Sequence, residues 1–109
     1  MRNIVDYVTE DGLSPFERWF ARLNVTAAAK VAVALYRLEQ GNLSNTKSVG
    51  KGVFGYRIHF GPGYRVYFGQ DGETLVILLA GGTKKRQNQD IQQAQRRWAD
   101  YPQRKNQPS

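Results

Sequence analysis

The sequence predicts an α+β domain: a small, antiparallel-rich sheet of about four strands, an N-terminal helical hairpin packed on one face, and a C-terminal helix. Three observations carry this prediction. Two apolar stripes of helical period lie between residues 14 and 40, a Gly-Pro-Gly turn joins two alternating segments within 53–69, and an unbroken apolar run fills 75–79. A chain of 109 residues, 40% of them hydrophobic, is enough for one domain and one core. Residues 1–99 are read as that single domain, and 100–109 as a polar tail expected to be disordered.

The elements follow in order. Asn3 to Thr9 alternates weakly through Ile4, Val5, Tyr7 and Val8 and reads as a first strand. Ser14-Pro15-Phe16-Glu17 is a helix start: Ser14 caps, Pro15 sits where its missing N–H costs nothing, and Glu17 can close a capping box. Phe16, Trp19, Phe20 and Leu23 then form one apolar stripe, read as core. A second helix is expected over 26–40, with Ala28, Val31, Leu35 and Leu38 inward and Gly41-Asn42 as its stop. The polar stretch 41–52 reads as a loop that ends in a short edge strand at most. Gly61-Pro62-Gly63 is read as a three-residue turn pairing Phe60 with Tyr64, His59 with Arg65, Ile58 with Val66 and Arg57 with Tyr67. Leu75-Val76-Ile77-Leu78-Leu79 reads as a central strand buried on both faces. A final helix is expected over 87–99, with Ile91, Ala94, Gln95 and Trp98 on its inner side.

Composition narrows the chemistry. With no Cys there is no disulfide framework, thiolate metal site or thiol nucleophile. With one His and few acids near the hairpin, a metal site is not expected, nor any small-molecule cofactor. No apolar run reaches the length needed to span a bilayer, which predicts a cytoplasmic protein that does not engage the membrane. The net charge is +7, and residues 84–109 carry seven Lys or Arg against two Asp. Such a field draws polyanions, RNA foremost here, although solubility alone or an acidic protein partner would also suit it.

Alternation along the strands sorts the hairpin into two faces. Tyr56, Ile58, Phe60, Tyr64, Val66 and Phe68 share the apolar one; Arg57, His59, Arg65 and Tyr67 share the other. Arginine offers a forked donor set to phosphate oxygens, histidine exchanges a proton near neutrality, and tyrosine donates a proton or stacks on a base. RNA carries its own nucleophile, the 2′-OH. An enzyme that cuts it must orient that hydroxyl, take its proton, protonate the leaving oxygen and stabilise charge on phosphorus. Arg57 and Arg65 are the candidates for holding the phosphate, His59 and Tyr67 for moving protons, with Lys84 assisting and Asp90 a further catalytic candidate. Lys47, Lys51, Lys85, Arg86, Arg96 and Arg97 are the candidate RNA contacts. Each has a plainer reading as well: a solvated sheet face for the arginines, a cross-strand partner for Tyr67, a dipole-favoured carboxylate in a first helical turn for Asp90.

Gly63-Tyr64-Arg65-Val66-Tyr67-Phe68, Leu78-Leu79-Ala80-Gly81-Gly82-Thr83-Lys84-Lys85, and Gln87 with Asp90-Ile91, Ala94 and Trp98 resemble the RelE/ParE superfamily of bacterial toxins. The nearest branch in these segments is that of the HigB-like addiction-module killer proteins. The resemblance spans roughly residues 3–99 and is most specific in the second half. It implies a RelE-like fold and a toxin that cuts mRNA on the ribosome, neutralised by a cognate antitoxin of helix-turn-helix type. In RelE, lysines stand at the positions of Arg57 and His59, an arginine at Arg65, and a basic residue at Lys84 or Lys85. Thr83 departs from the Asp usual in the branch, and Asp90 is the acidic group nearest to where the family carries a further Tyr, His or Asp. ParE-type relatives share the fold but poison DNA gyrase by binding, and a decayed copy retaining only antitoxin binding is the third possibility. Fold alone does not separate these.

Overall fold

The computed structural model describes residues 2–105. It has the expected class, with one strand more than expected. The five-stranded sheet runs in the order β1-β5-β4-β3-β2, formed by β1 (Asn3–Asp6), β2 (Thr46–Gly50), β3 (Val53–Ile58), β4 (Tyr64–Asp71) and β5 (Leu75–Thr83). All neighbours are antiparallel except β1, which lies parallel to β5. Helices α1 (Pro15–Ala21) and α2 (Val25–Glu39) cover one face; a single 3₁₀ turn (Lys84–Arg86) leads into α3 (Gln87–Lys105) on the other. No helix among the described residues is long and apolar enough to cross a membrane.

Local sequence accounts for the helix starts. Ser14 accepts a hydrogen bond from the Glu17 N–H at 3.0 Å, with Pro15 at the first helical position. Its hydroxyl also donates to Asp6 at 2.8 Å, tying α1 to the end of β1. Asn24 caps α2 by accepting from the Ala27 N–H at 2.8 Å. The inward stripe of α2 is Ala27, Val31, Ala34 and Leu38, so Ala28 and Leu35 sit on its shoulder and not at its centre. Val31, Ala34 and Leu38 meet Phe16, Tyr56, Val66, Phe68, Val76 and Leu78 in the larger core.

The second core lies under α3, where Val53, Tyr67, Ile77, Leu79 and Ala80 pack against Ala94, Tyr101 and the edge of Trp98. The polar tail expected from residue 100 therefore begins inside a helix. Tyr101 stacks on Trp98 at 5.2 Å and donates to Asp71 at 2.9 Å, and Lys105 pairs with Asp71 at 3.0 Å. These contacts offset the backbone bond that Pro102 cannot make. Residues 106–109 of that expected tail fall outside the described part.

Two strand details also differ from the sequence reading. The stretch read as a loop forms β2, closed onto β3 by Lys51-Gly52, whose φ angles of 57° and 81° suit a tight mirror-type hairpin turn. The β3–β4 hairpin pairs Ile58 with Tyr64, Arg57 with Arg65, Tyr56 with Val66 and Gly55 with Tyr67. This register is shifted from the expected one because the turn occupies residues 59–63. Gly61 and Gly63 both take positive φ there, and turn bonds run from Phe60 N to Ile58 O and from Gly63 N to Phe60 O, each 3.0 Å. The shift moves the partner by two residues, so each side chain keeps its face.

Bare backbone lets α3 sit close. A Cβ built on Gly69 would lie 2.5 Å from the Trp98 indole, which no rotamer of so large a group relieves cheaply. Gly69→Ala is expected to cost about 1–3 kcal/mol through overpacking, read as a lower urea midpoint. An unchanged midpoint would show that α3 is not held against β4 as described.

Candidate functional site

The upper end of the α3-side face stays open as a groove of about 540 Å³ between β2, β3, β4 and the first turn of α3. Lys47, Arg57, Arg65 and Lys84 line it, with Tyr67 on its floor and Gln87, Asn88 and Ile91 forming the far wall. The register explains the clustering. Arg57 and Arg65 are direct cross-strand partners, Lys47 lies across from Gly55 on the next strand, and Lys84 begins the 3₁₀ turn as β5 ends.

The charge is uncompensated among the described residues. Arg65 Nε donates to Gln87 Oε1 at 3.3 Å, a neutral partner. The ion pairs found among the described residues, Arg104–Asp100 and Lys105–Asp71, lie towards the other end of α3. Like charges directly opposite one another destabilise a sheet. A basic groove with no carboxylate among the described residues to neutralise it is chemically suited to an anion, and forked guanidiniums suit phosphate oxygens.

Not every residue singled out in the sequence reaches this groove. His59 lies beyond the last β3–β4 pair and lines a separate cavity with Lys30, Phe60 and Arg37. Tyr67 is on the right face but fully covered by α3, and its hydroxyl has no hydrogen-bond partner among the described residues. Burial, with the Asp90 carboxylate adding to it, pushes that hydroxyl up to about 12. Asp90 is itself buried, its carboxyl pressed against Gly82. Burial raises its affinity for a proton, while Arg86 and Arg97 pull the other way. Asp90, Arg86 and Arg97 belong to a different cavity, of about 240 Å³, bounded by Trp19 and Arg22 of the α1 region.

The remaining basic residues divide. Arg97 is a packing residue that donates to the Leu79 carbonyl at 2.8 Å and to Gln93 at 3.2 Å. Lys51 and Arg96 line a third hollow with Gln92 and Gln95. Lys85 is exposed on the 3₁₀ turn. Gln87, Asn88 and Ile91 were not singled out as site residues. The available signals were their position, just after the basic segment that leaves the central strand, and the place of Gln87 and Ile91 in the segment that resembles the toxins.

Three hydroxyls share one pH response. Burial is the leading cause that raises Tyr7, Tyr67 and Tyr101 to about 12 from an unfolded value of about 10. For Tyr101 the hydrogen bond to Asp71 adds to that burial, and for Tyr7 the bond to Asp100 does the same. The native state thus holds these protons where the unfolded chain has released them. Their contribution is intact below pH of about 10 and is lost as pH rises towards 12. The urea midpoint is expected to fall steeply across that window, and Tyr67→Phe is expected to flatten part of the fall. A midpoint that is level from pH of about 9 to about 12 would contradict the burial of these groups.

The family described as Phage derived protein Gp49-like (DUF891) matches residues 18–99, which include the groove residues from all four of its walls. A protein of Haemophilus influenzae, itself described only as uncharacterized, is 46% identical over 80 residues, covering 72% of this chain and 81% of that one.

Proposed function

The chain belongs to the Gp49-like family of phage-derived proteins, a toxin-like family related to the RelE/ParE toxins, and from that premise we propose that it is the HigB-like toxin of a type II toxin–antitoxin system. In this reading it acts in the cytoplasm as a metal-independent, ribosome-dependent mRNA endoribonuclease and is restrained by a cognate antitoxin of helix-turn-helix type. The observation that carries it is the cross-strand pairing of Arg57 with Arg65 in a basic groove that no carboxylate neutralises among the described residues.

The groove supplies groups for holding the phosphate, stabilising its charge and protonating the leaving oxygen. The Arg57 and Arg65 guanidiniums take the non-bridging oxygens of the scissile phosphate and stabilise the charge that grows there. Gln87 holds Arg65 in place through its Nε, leaving the terminal nitrogens for the phosphate. Lys47 and Lys84 engage flanking phosphates, and their ammonium groups are the proton donors at hand for the leaving 5′ oxygen. Neither His59 nor Tyr67 is placed to accept the 2′-OH proton. The ribosome therefore has the larger share: it must hold the 2′-OH in line, and the proton passes to water or to a phosphate oxygen. Cleavage of free RNA is accordingly slight.

That missing proton acceptor is also the one observation that favours a second reading, a ParE-like toxin that inhibits DNA gyrase by binding. Mapping mRNA 5′ ends after induction, beside a gyrase supercoiling assay, separates the two. Arg65→Ala is expected to abolish growth arrest and to lower cleavage by at least about 100-fold while leaving the circular dichroism spectrum unchanged. Tyr67→Phe and His59→Ala are expected to keep toxicity. A fully toxic Arg65→Ala, or new mRNA ends that are absent while supercoiling is blocked, would remove the ribonuclease reading.

A further inference from the structure

We propose that the outward face of α2 is the docking site for an acidic amphipathic helix of a partner protein. The observation is where the apolar residues of α2 lie. At about 3.6 residues per turn, Ala27, Val31, Ala34 and Leu38 share the face that packs on the sheet, and all four are buried. Val25, Ala29, Ala32, Val33 and Tyr36 centre on the opposite side, the part of the helix farthest from the core. Val25 is 87% exposed, Tyr36 62% and Val33 47%. A surface helix ordinarily places polar residues there, and a helix apolar on both sides is one that is covered on both sides. Half of the exposed large hydrophobics among the described residues lie on this one face, so they form a patch and not a scatter. Ala29 and Ala32, between the larger Val25, Val33 and Tyr36, leave a shallow seat for the side-chain ridge of a second helix.

The rim decides the occupant. Lys30 and Arg37 flank the seat, and beyond them His59 borders a cavity of about 260 Å³ that Val33 also lines. Lys30 Nζ stands 5.3 Å from the centre of the Phe60 ring, which fixes its charge at the border. Glu39, in the last turn, is the one carboxylate on α2. A second copy of this chain, docked face to face about a two-fold axis, would set one basic rim against another on two molecules of charge +7 each. An extended strand would find no sheet edge to pair with here. A helix with apolar anchors at helical spacing and Asp or Glu along one flank fits both the seat and the rim.

This inference rests on the toxin reading only for the identity of the partner, the antitoxin encoded by the adjoining gene. The test co-expresses the full chain with that gene's product and measures affinity, neutralisation of growth arrest, and the sedimentation of the chain alone. Val33→Glu with Tyr36→Glu is expected to weaken binding at least about 100-fold and to abolish neutralisation, while growth arrest itself persists. Lys30→Glu with Arg37→Glu is expected to weaken binding and to reduce its dependence on salt. Arg65→Ala is expected to bind as the unaltered chain does, so a failed toxin assay and a failed docking assay read differently. Undiminished binding by the Val33 and Tyr36 double variant would overturn the inference. So would a dimer of the chain alone that this variant abolishes, or an adjoining gene product that does not bind the unaltered chain.

Discussion

Arg57 stands directly across from Arg65, and the character of the groove depends on that pairing. Two cationic side chains at paired positions of adjacent strands repel, and no negative charge among the described groove residues relieves them. What holds them is the other side of the same strands. Tyr56, Val66 and Phe68 alternate with the arginines and are buried against α1 and α2. A slip of one residue would turn the arginines into that core and the aromatics into solvent. Hydrophobic burial on one face thus maintains an electrostatic arrangement on the other that would not persist by itself.

The α3 side divides along its length. Below, Tyr67, Val53 and Leu79 are sealed beneath Ala94, Trp98 and Tyr101, and the helix is clamped by Asp71 through Tyr101 and Lys105. Above, the 3₁₀ turn lifts the chain away from the sheet and leaves the groove open. Glycines mark the places where the helices come closest: Gly81 lies against Trp19 of α1, and Gly82 against Asp90 of α3. Asp90 and Tyr67 are buried ionisable groups whose neutral forms burial favours. Tyr67 lies beneath the floor of the groove, and Asp90 packs on Gly82 in the separate cavity beside α1.

Much of this was legible in the sequence. The Ser14-Pro15 start, the glycine turn between β3 and β4, and the apolar run of β5 are local signals, and each formed the element it implied. Because strand side chains repeat every two residues, a hairpin misread by two still sorted Arg57, Arg65 and Tyr67 onto the correct face. His59 was lost because a longer turn consumed it. β2 was obscured by its polar run of Thr46, Lys47 and Ser48, whose strand character comes from pairing with β3 and not from its own pattern. The covering of Tyr67 and the extension of α3 to Lys105 depend on contacts between residues about 30 apart, such as Tyr101 with Asp71, which periodicity cannot reveal.

The most direct test of a phosphate-binding groove is the salt dependence of affinity for a short single-stranded RNA. Four cations, Lys47, Arg57, Arg65 and Lys84, predict a slope of log K against log salt of about −2 to −3, moving towards zero by roughly 0.7 for each arginine removed. A slope near zero, or one unchanged when Arg57 and Arg65 are both replaced, would contradict it.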